Sequence, residues 1–235
     1  MNTTKSALIL IDMENGFINE KSVHCIKNAR ATIPSCAFAI EQARKKDIPI
    51  FFVKRQYRKD GSDVENTRYD SWKNGGRSMQ PDSTGIASDE FPPELTPAQN
   101  DYIIVKPRWS AFFQTELDLI LRRLQIRTVI LAGTTTPNCV RTTCYDANSL
   151  DYNVVVLKDC CSSQTEEIQK VNMEDMERMG AKILTSKEFA GYNENHSCPI
   201  NSPNSQKATI RFCLAKFLAG IFRKSLRTIF SNPCA

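Results

Sequence analysis

Three residues with complementary chemistry, a carboxylate, an amine and a thiol, each lie at or after the end of an apolar run. Asp12 directly follows residues 7–11 (ALILI), Lys106 closes residues 102–106 (YIIVK), and Cys139 follows the run TVILA across a six-residue turn. A thiolate attacks carbonyl carbons, and a neighbouring carboxylate can take the thiol proton and return it to a leaving amine. An ammonium group offsets the negative charge that develops. Together the three residues predict a cysteine nucleophile, a carboxylate base and a cation that stabilises negative charge.

The elements that must position these side chains alternate between strand and helix. Continuous apolar runs predict strands buried on both faces, and the amphipathic segments between them predict helices. The strands are predicted at residues 7–11, 48–53, 102–106, 128–132, 154–157 and 181–185, and the helices at residues 29–46, 115–124, 139–150 and 166–179. This order predicts an α/β fold: a doubly wound, mainly parallel six-stranded sheet in a three-layer, Rossmann-like arrangement with helices on both faces. Its strand ends would bring the three residues together.

Each of the three residues also has an ordinary interpretation when taken singly. A carboxylate after a strand can cap a helix, a lysine at a strand end can be solvated, and a cysteine at a helix start can be a small buried residue. Their coincidence at three strand ends favours the catalytic interpretation. The helix N-terminus is expected to lower the pKa of Cys139. Neither histidine, His24 or His196, follows a strand, which argues against a Cys–His arrangement.

Composition limits the class of protein. The chain has 235 residues, a formal charge of +5 and nine cysteines. The charge is too mild to indicate a nucleic-acid partner, and no apolar stretch reaches the length of a membrane span. Nine cysteines without a secretory pattern at the N-terminus predict reduced thiols in a cytoplasmic protein.

The chain is predicted to divide into a hydrolase domain at residues 1–190, a polar linker at 191–208 and a basic amphipathic helix at 209–235. The helix could dock on its own domain, join a sister subunit or lie on an anionic membrane surface. An alternative function is therefore a non-catalytic or scaffold protein that acts through this tail. We expect a membrane contact only there, and a homo-oligomer.

Three segments, LILIDMENGF, IVKPRWSAFFQTELDLIL and LAGTTTPNCVRTTCYDA, resemble the motifs of the isochorismatase-like cysteine hydrolases. That superfamily includes nicotinamidases, N-carbamoylsarcosine amidases, and ureide and maleamate hydrolases. The resemblance implies that Asp12, Lys106 and Cys139 form the catalytic set. It also implies a cis peptide at Thr134–Thr135, an oxyanion hole formed by the backbone N–H groups of Thr135 and Cys139, and a small carboxamide or ureide as substrate.

The chain departs from nicotinamidases in the segment after the second strand, where that branch carries an aspartate and two histidines for a metal. This segment, KRQYRKDGSDVENTRYDSW, has no histidine, so we expect no metal and no cofactor. Trp72 could cover the pocket and Arg77 could bind an anionic group, whereas Arg141 could grip a substrate carboxylate or have a surface role. The substrate-binding candidates are Phe17, Trp72, Arg77, Trp109, Phe112 and Arg141.

Overall fold

The computed structural model describes residues 5–22, 24–80 and 88–192, which form one sheet flanked by helices. Neighbouring strands are parallel throughout, in the order β3-β2-β1-β4-β5-β6. The strands are β1 (Lys5–Ile11), β2 (Ile50–Arg55), β3 (Tyr102–Lys106), β4 (Ile126–Thr134), β5 (Asn153–Ser162) and β6 (Lys182–Leu184). The predicted α/β fold with a six-stranded sheet is confirmed. Chain order reverses between β1 and β4, which is the position where parallel sheets open a crevice for ligands.

Helices cover both faces of the sheet. They are α1 (Asn15–Ile18), α2 (Ile33–Lys45), α3 (Tyr69–Asn74), α4 (Leu117–Arg123), α5 (Arg141–Ser149), α6 (Glu166–Arg178) and α7 (Ser186–Gly191). Alternate residues of β1 supply the two cores: Ile9 and Ile11 share one with α4, α5 and α6, and Leu8 and Leu10 share the other with α2 and α7. This alternation follows from the two-residue period of a strand that is buried on both sides.

The long segment between β2 and β3 is only partly irregular. It carries α3 and two short 3₁₀ turns, Asn66–Arg68 and Pro93–Leu95. Four of its side chains form a small apolar cluster of their own: Tyr57, Val64, Trp72 and Met79. Trp72 is 3% exposed, and its indole N–H donates to the Ser78 carbonyl at 2.8 Å. The structure therefore places Trp72 in the core of this segment instead of over a pocket, because the indole finds both apolar neighbours and a hydrogen-bond partner there.

Within the described ranges, no helix is long and apolar enough to cross a membrane. The predicted linker beyond Tyr192 and the predicted helix at residues 209–235 lie outside those ranges. The proposals for this tail, including a membrane surface or a partner subunit, therefore stay predictions.

Candidate active site

At the base of the site, the ends of β1 and β4 lie very close to each other. Ile11 and Gly133 are register partners, and a Cβ built on Gly133 would lie 2.0 Å from the Ile11 carbonyl oxygen. Gly133 also has a φ of 118°, which L side chains rarely adopt. Glycine is therefore required here for two reasons, and it lets the end of β4 lie directly against the end of β1.

Asp12 leaves β1 through an unusual backbone conformation. Its φ is 52°, in the left-handed region that aspartate tolerates better than most residues. Its N–H still donates to the Val53 carbonyl at 2.8 Å, so the residue is anchored to β2. The alternation of side chains between the two faces of β1 ends at Asp12. The fully buried Asp12 carboxylate contacts the Lys106 ammonium.

Lys106 connects the other two members of the predicted set. Its Nζ lies 2.8 Å from Oδ2 of Asp12 and 3.5 Å from Sγ of Cys139, and it donates to the Arg108 carbonyl at 2.9 Å. The ammonium and the Asp12 carboxylate both have 0% exposure. Besides burial, a hydrogen-bonding interaction with Asp12 contributes to the raised pKa of the Cys139 thiol, so the carboxylate lies within reach of the thiol proton.

Cys139 lies in a single turn of π-helix, Thr136–Val140, that precedes α5. The expectation that Cys139 opens the helix is corrected, because α5 begins two residues later. Side chains of α5 and α6 hold this turn: the Thr143 hydroxyl donates to the Cys139 carbonyl, and the Thr136 hydroxyl donates to Oε1 of Gln169, both at 2.7 Å. The predicted cis peptide at Thr134–Thr135 is confirmed.

Burial raises the pKa of the Cys139 thiol to about 11, and the negative charge of Asp12 adds to the effect. Lys106 and Arg55 act in the opposite direction but do not outweigh burial. The net shift of this pKa is therefore upward, whereas a lowered pKa was expected from the position of Cys139 near a helix N-terminus. A thiol with a pKa this high is protonated at neutral pH, so nucleophilic attack by Cys139 would require a base that takes the proton.

A second carboxylate at the end of β1, Glu14, was not singled out from the sequence. It is fully buried and accepts the backbone N–H of Arg55 at 3.1 Å and 3.3 Å. Burial, and then the charge of Asp12, raises its pKa well above the usual value, while Lys106 lowers it. The position of Glu14 two residues after Asp12 was the available signal.

Arg55, at the end of β2, was also missed. Its side chain is 2% exposed, forms an ion pair with Glu65 and lies over the Trp109 ring with 5.7 Å between the guanidinium carbon and the ring centroid. Tyr57 donates to the other oxygen of Glu65 at 2.7 Å. The predicted strand ended at residue 53, two residues before the observed end, so the strand-end argument that selected Lys106 was not applied to Arg55.

The remaining substrate-binding candidates are dispersed. Phe112 stacks on Tyr152 with ring centroids 5.8 Å apart, and Arg77 is exposed. Arg141 donates to Asn172 on α6 at 3.0 Å, so its side chain faces α6.

Phe17 and Trp109 differ from these candidates. Phe17 packs between the α2-side core and the small cluster around Trp72. Trp109 is half-buried, and its ring lies under the guanidinium of Arg55.

Within the described ranges, no group of three or more histidine, cysteine, aspartate or glutamate side chains could hold a metal ion. In the segment after β2, where a metal site was considered, Asp60 and Asp63 accept backbone N–H groups of nearby residues. These two acids shape the loop.

Comparison with known proteins identifies the family. The model of the isochorismatase domain matches residues 6–188. A probable inactive nicotinamidase from Arabidopsis thaliana is 36% identical over 79% of this chain and 94% of its own length. A ureidoacrylate amidohydrolase from Yersinia enterocolitica is 33% identical over 67% and 75%.

Solved structures agree with this result. An isochorismatase family protein from Desulfovibrio vulgaris superposes with a TM-score of 0.75 at 36% identity, over 81% of this chain and 98% of that one. The N-carbamoylsarcosine amidase of Thermoplasma acidophilum gives 0.64 at 28%, over 78% and 97%. The matched region contains the strand ends that carry Asp12, Lys106 and Cys139, and the chain belongs to the isochorismatase family.

Proposed function

We propose that this protein is a cysteine-dependent amidohydrolase that cleaves a small carboxamide or ureide through a thioester acyl-enzyme and releases ammonia or an amine. The observation that carries the proposal is the shared contact of the Lys106 ammonium with the Asp12 carboxylate and the Cys139 sulfur. Burying a thiol, a carboxylate and an ammonium group in mutual contact costs free energy. Such buried ionisable clusters are typical of functional sites, because proton transfer and nucleophilic attack require them.

In the first step Asp12 takes the thiol proton as the sulfur attacks the carbonyl carbon. The proton transfer is coupled to attack because burial disfavours a free thiolate. The side chain of Lys106 offsets the negative charge that develops. The backbone N–H groups of Thr135 and Cys139 are proposed to stabilise the tetrahedral oxyanion.

In the second step the C–N bond breaks and protonated Asp12 gives its proton to the leaving nitrogen. Water then enters, Asp12 takes one of its protons, and the hydroxide attacks the thioester. The carbon–sulfur bond breaks, the thiol regains its proton, and the free acid leaves. Carbamic acid, the product of a ureide, would break down to carbon dioxide and ammonia.

The reaction class agrees with the names of the relatives. The ureidoacrylate amidohydrolase and the N-carbamoylsarcosine amidase are hydrolases of linear C–N bonds other than peptide bonds, and we assign this chain to the same class. Nicotinamide is a less suitable substrate, because the segment after β2 lacks histidine and the Arabidopsis relative bears the name of a probable inactive nicotinamidase.

The test is ammonia release from a panel of ureides, maleamate-like acids and aromatic carboxamides. Cys139→Ala should abolish release from every substrate that the wild type cleaves, because the nucleophile is gone. The matched control is Cys144→Ala, which removes another buried thiol from the same core and should retain most activity. Unchanged turnover in Cys139→Ala would overturn the mechanism.

A further inference from the structure

We propose that Arg55 determines the specificity of this site: its guanidinium, held by Glu65 against Trp109, binds a carboxylate on the amide or ureide whose carbonyl meets Cys139. The inference rests on the proposed function and narrows its substrate class to amides or ureides that carry an acid group. The two arginines that sequence reasoning favoured do not take this position, since Arg77 is exposed and Arg141 faces α6.

The register of the sheet places Arg55 beside the catalytic set. Arg55 and Lys106 are Cα partners across β2 and β3, so their side chains leave the sheet on the same face. This is the face that Val53 and Cys139 share in one core. The charge of Arg55 is close enough to favour the thiolate form of Cys139, although burial dominates.

The guanidinium retains capacity for a ligand. Its Nε is fully buried yet donates no hydrogen bond within the described part of the chain, although one Nη contacts Glu65. A buried donor without a partner destabilises the protein, and a bound acceptor would remove that cost. Arginine presents its five N–H groups in a planar fork that fits a carboxylate.

Glu65 and Trp109 explain how the Arg55 guanidinium can be buried at this position without a bound ligand. Glu65 balances the charge of Arg55 and is itself held by the Tyr57 hydroxyl, while the ring of Trp109 packs on the guanidinium. These contacts fix the guanidinium without using its Nε. A purely structural ion pair would explain the same contacts but would not make the site sensitive to the charge of a reactant.

Alkylation of Cys139 separates the two roles without knowledge of the natural substrate. Iodoacetate and iodoacetamide transfer similar groups to a thiol and differ in charge, and the rate at Cys139 can be followed by peptide mass spectrometry. The measured quantity is the ratio of the iodoacetate rate to the iodoacetamide rate. Because the ratio is taken within one protein, it cancels differences in thiol ionisation.

The proposal predicts opposite shifts for the two halves of the ion pair. Arg55→Met should lower the ratio about tenfold, and Glu65→Gln should raise it because the guanidinium loses its counter-ion. Arg55→Lys should retain part of the preference. The control Arg178→Met removes an exposed charge from the end of α6 and should leave the ratio unchanged.

Failure of the inference and failure of the proposed function give different results. If Cys139 reacts but Arg55→Met and Glu65→Gln both keep the wild-type ratio, Arg55 is structural and the inference is overturned. If neither reagent reaches Cys139 in the wild type, the substrate comparison below decides on Arg55, whereas wild-type turnover in Cys139→Ala would overturn the proposed nucleophile itself. Should Arg55→Met fail to fold by circular dichroism, the Arg55→Lys and Glu65→Gln ratios decide.

A second experiment compares the hydrolysis of succinamate, which carries a carboxylate, with that of butanamide, which does not. The wild type should prefer succinamate, and Arg55→Met should lose that preference through KM more than kcat.

Discussion

Two carboxylates, Asp12 and Glu14, lie two residues apart at the end of β1, and their surroundings give them different roles. Asp12 contacts the Lys106 ammonium, which compensates its charge. Glu14 accepts a backbone N–H and is surrounded by buried atoms, so burial dominates and its pKa is raised. A carboxyl with a raised pKa stabilises the fold in its protonated form. Its contribution is complete below the ordinary glutamate pKa and is lost as pH rises through the value in the folded protein.

Glu14→Gln should therefore stabilise the protein at neutral pH. Glutamine resembles the protonated carboxyl at every pH, and its carbonyl can accept the Arg55 N–H. The gain in the free energy of unfolding should be larger at pH 8 than at pH 5, by about 1.4 kcal/mol for each pH unit over which the folded carboxyl keeps a proton that the unfolded chain has lost. Urea unfolding at the two pH values measures it, with the exposed Glu20→Gln as control. Equal destabilisation at both pH values would contradict this account of Glu14.

At the scale of elements, the site depends on the contact of β1 with β4. Asp12 and the turn that carries Cys139 emerge from neighbouring strands at the point where chain order reverses. Lys106 comes from β3, two strands from β1, and reaches them over β2. Ends of three strands thus meet because all strands of the sheet run in the same direction.

Gly133→Ala should destabilise the protein by about 2–4 kcal/mol and reduce activity, because the added methyl group meets the Ile11 backbone and the residue must keep a positive φ. Gly180→Ala is the matched control: its φ is also positive, at 97°, but nothing lies within 4 Å of the added Cβ. That variant should lose only about 1 kcal/mol. Thermal unfolding of the pair separates the clash from the backbone strain, and similar losses would argue against the close approach of the strands.

At the scale of the whole molecule, the described part of the chain buries several thiols, none of which forms a disulfide there. Burial raises the pKa of Cys139 to about 11 and that of Cys144 to about 12, from an ordinary value near 9.0. Above pH 9 the unfolded chain gives up thiol protons that the folded chain keeps. Because the unfolded state then binds fewer protons, the stability must fall as pH rises.

Under reducing conditions, the free energy of unfolding should decrease between pH 9 and pH 11 by up to about 1.4 kcal/mol per pH unit for each of these thiols. Equilibrium unfolding in urea along a pH series measures the slope. Cys144→Ala should give a shallower slope because it removes one of the contributing groups. A stability that stays constant over this range would show that these thiols are accessible to solvent.

The sequence predicted the fold because its signals are local. Each central strand is a continuous apolar run, so β1 and β4 could be recognised without knowledge of their neighbours. The same rule placed Asp12 and Lys106 at strand ends. For β2 the same rule predicted an end two residues too early. Lys54 and Arg55 continue the strand as charged residues, so no apolar run marks its true end.

By itself, the sequence determined the order of the elements, the parallel sheet and the three strand-end residues, since these follow from hydrophobic periodicity and chain direction. Only the tertiary structure decided which other side chains share the site. It placed Arg55 and Glu14 near Asp12, Lys106 and Cys139, whereas Trp72 packs within its own segment and Arg141 faces α6. It also raised the pKa of the Cys139 thiol, because burial and the charge of Asp12 outweigh the opposing cations. Burial and through-space charge depend on residues far apart in the chain, and therefore no local pattern could reveal them.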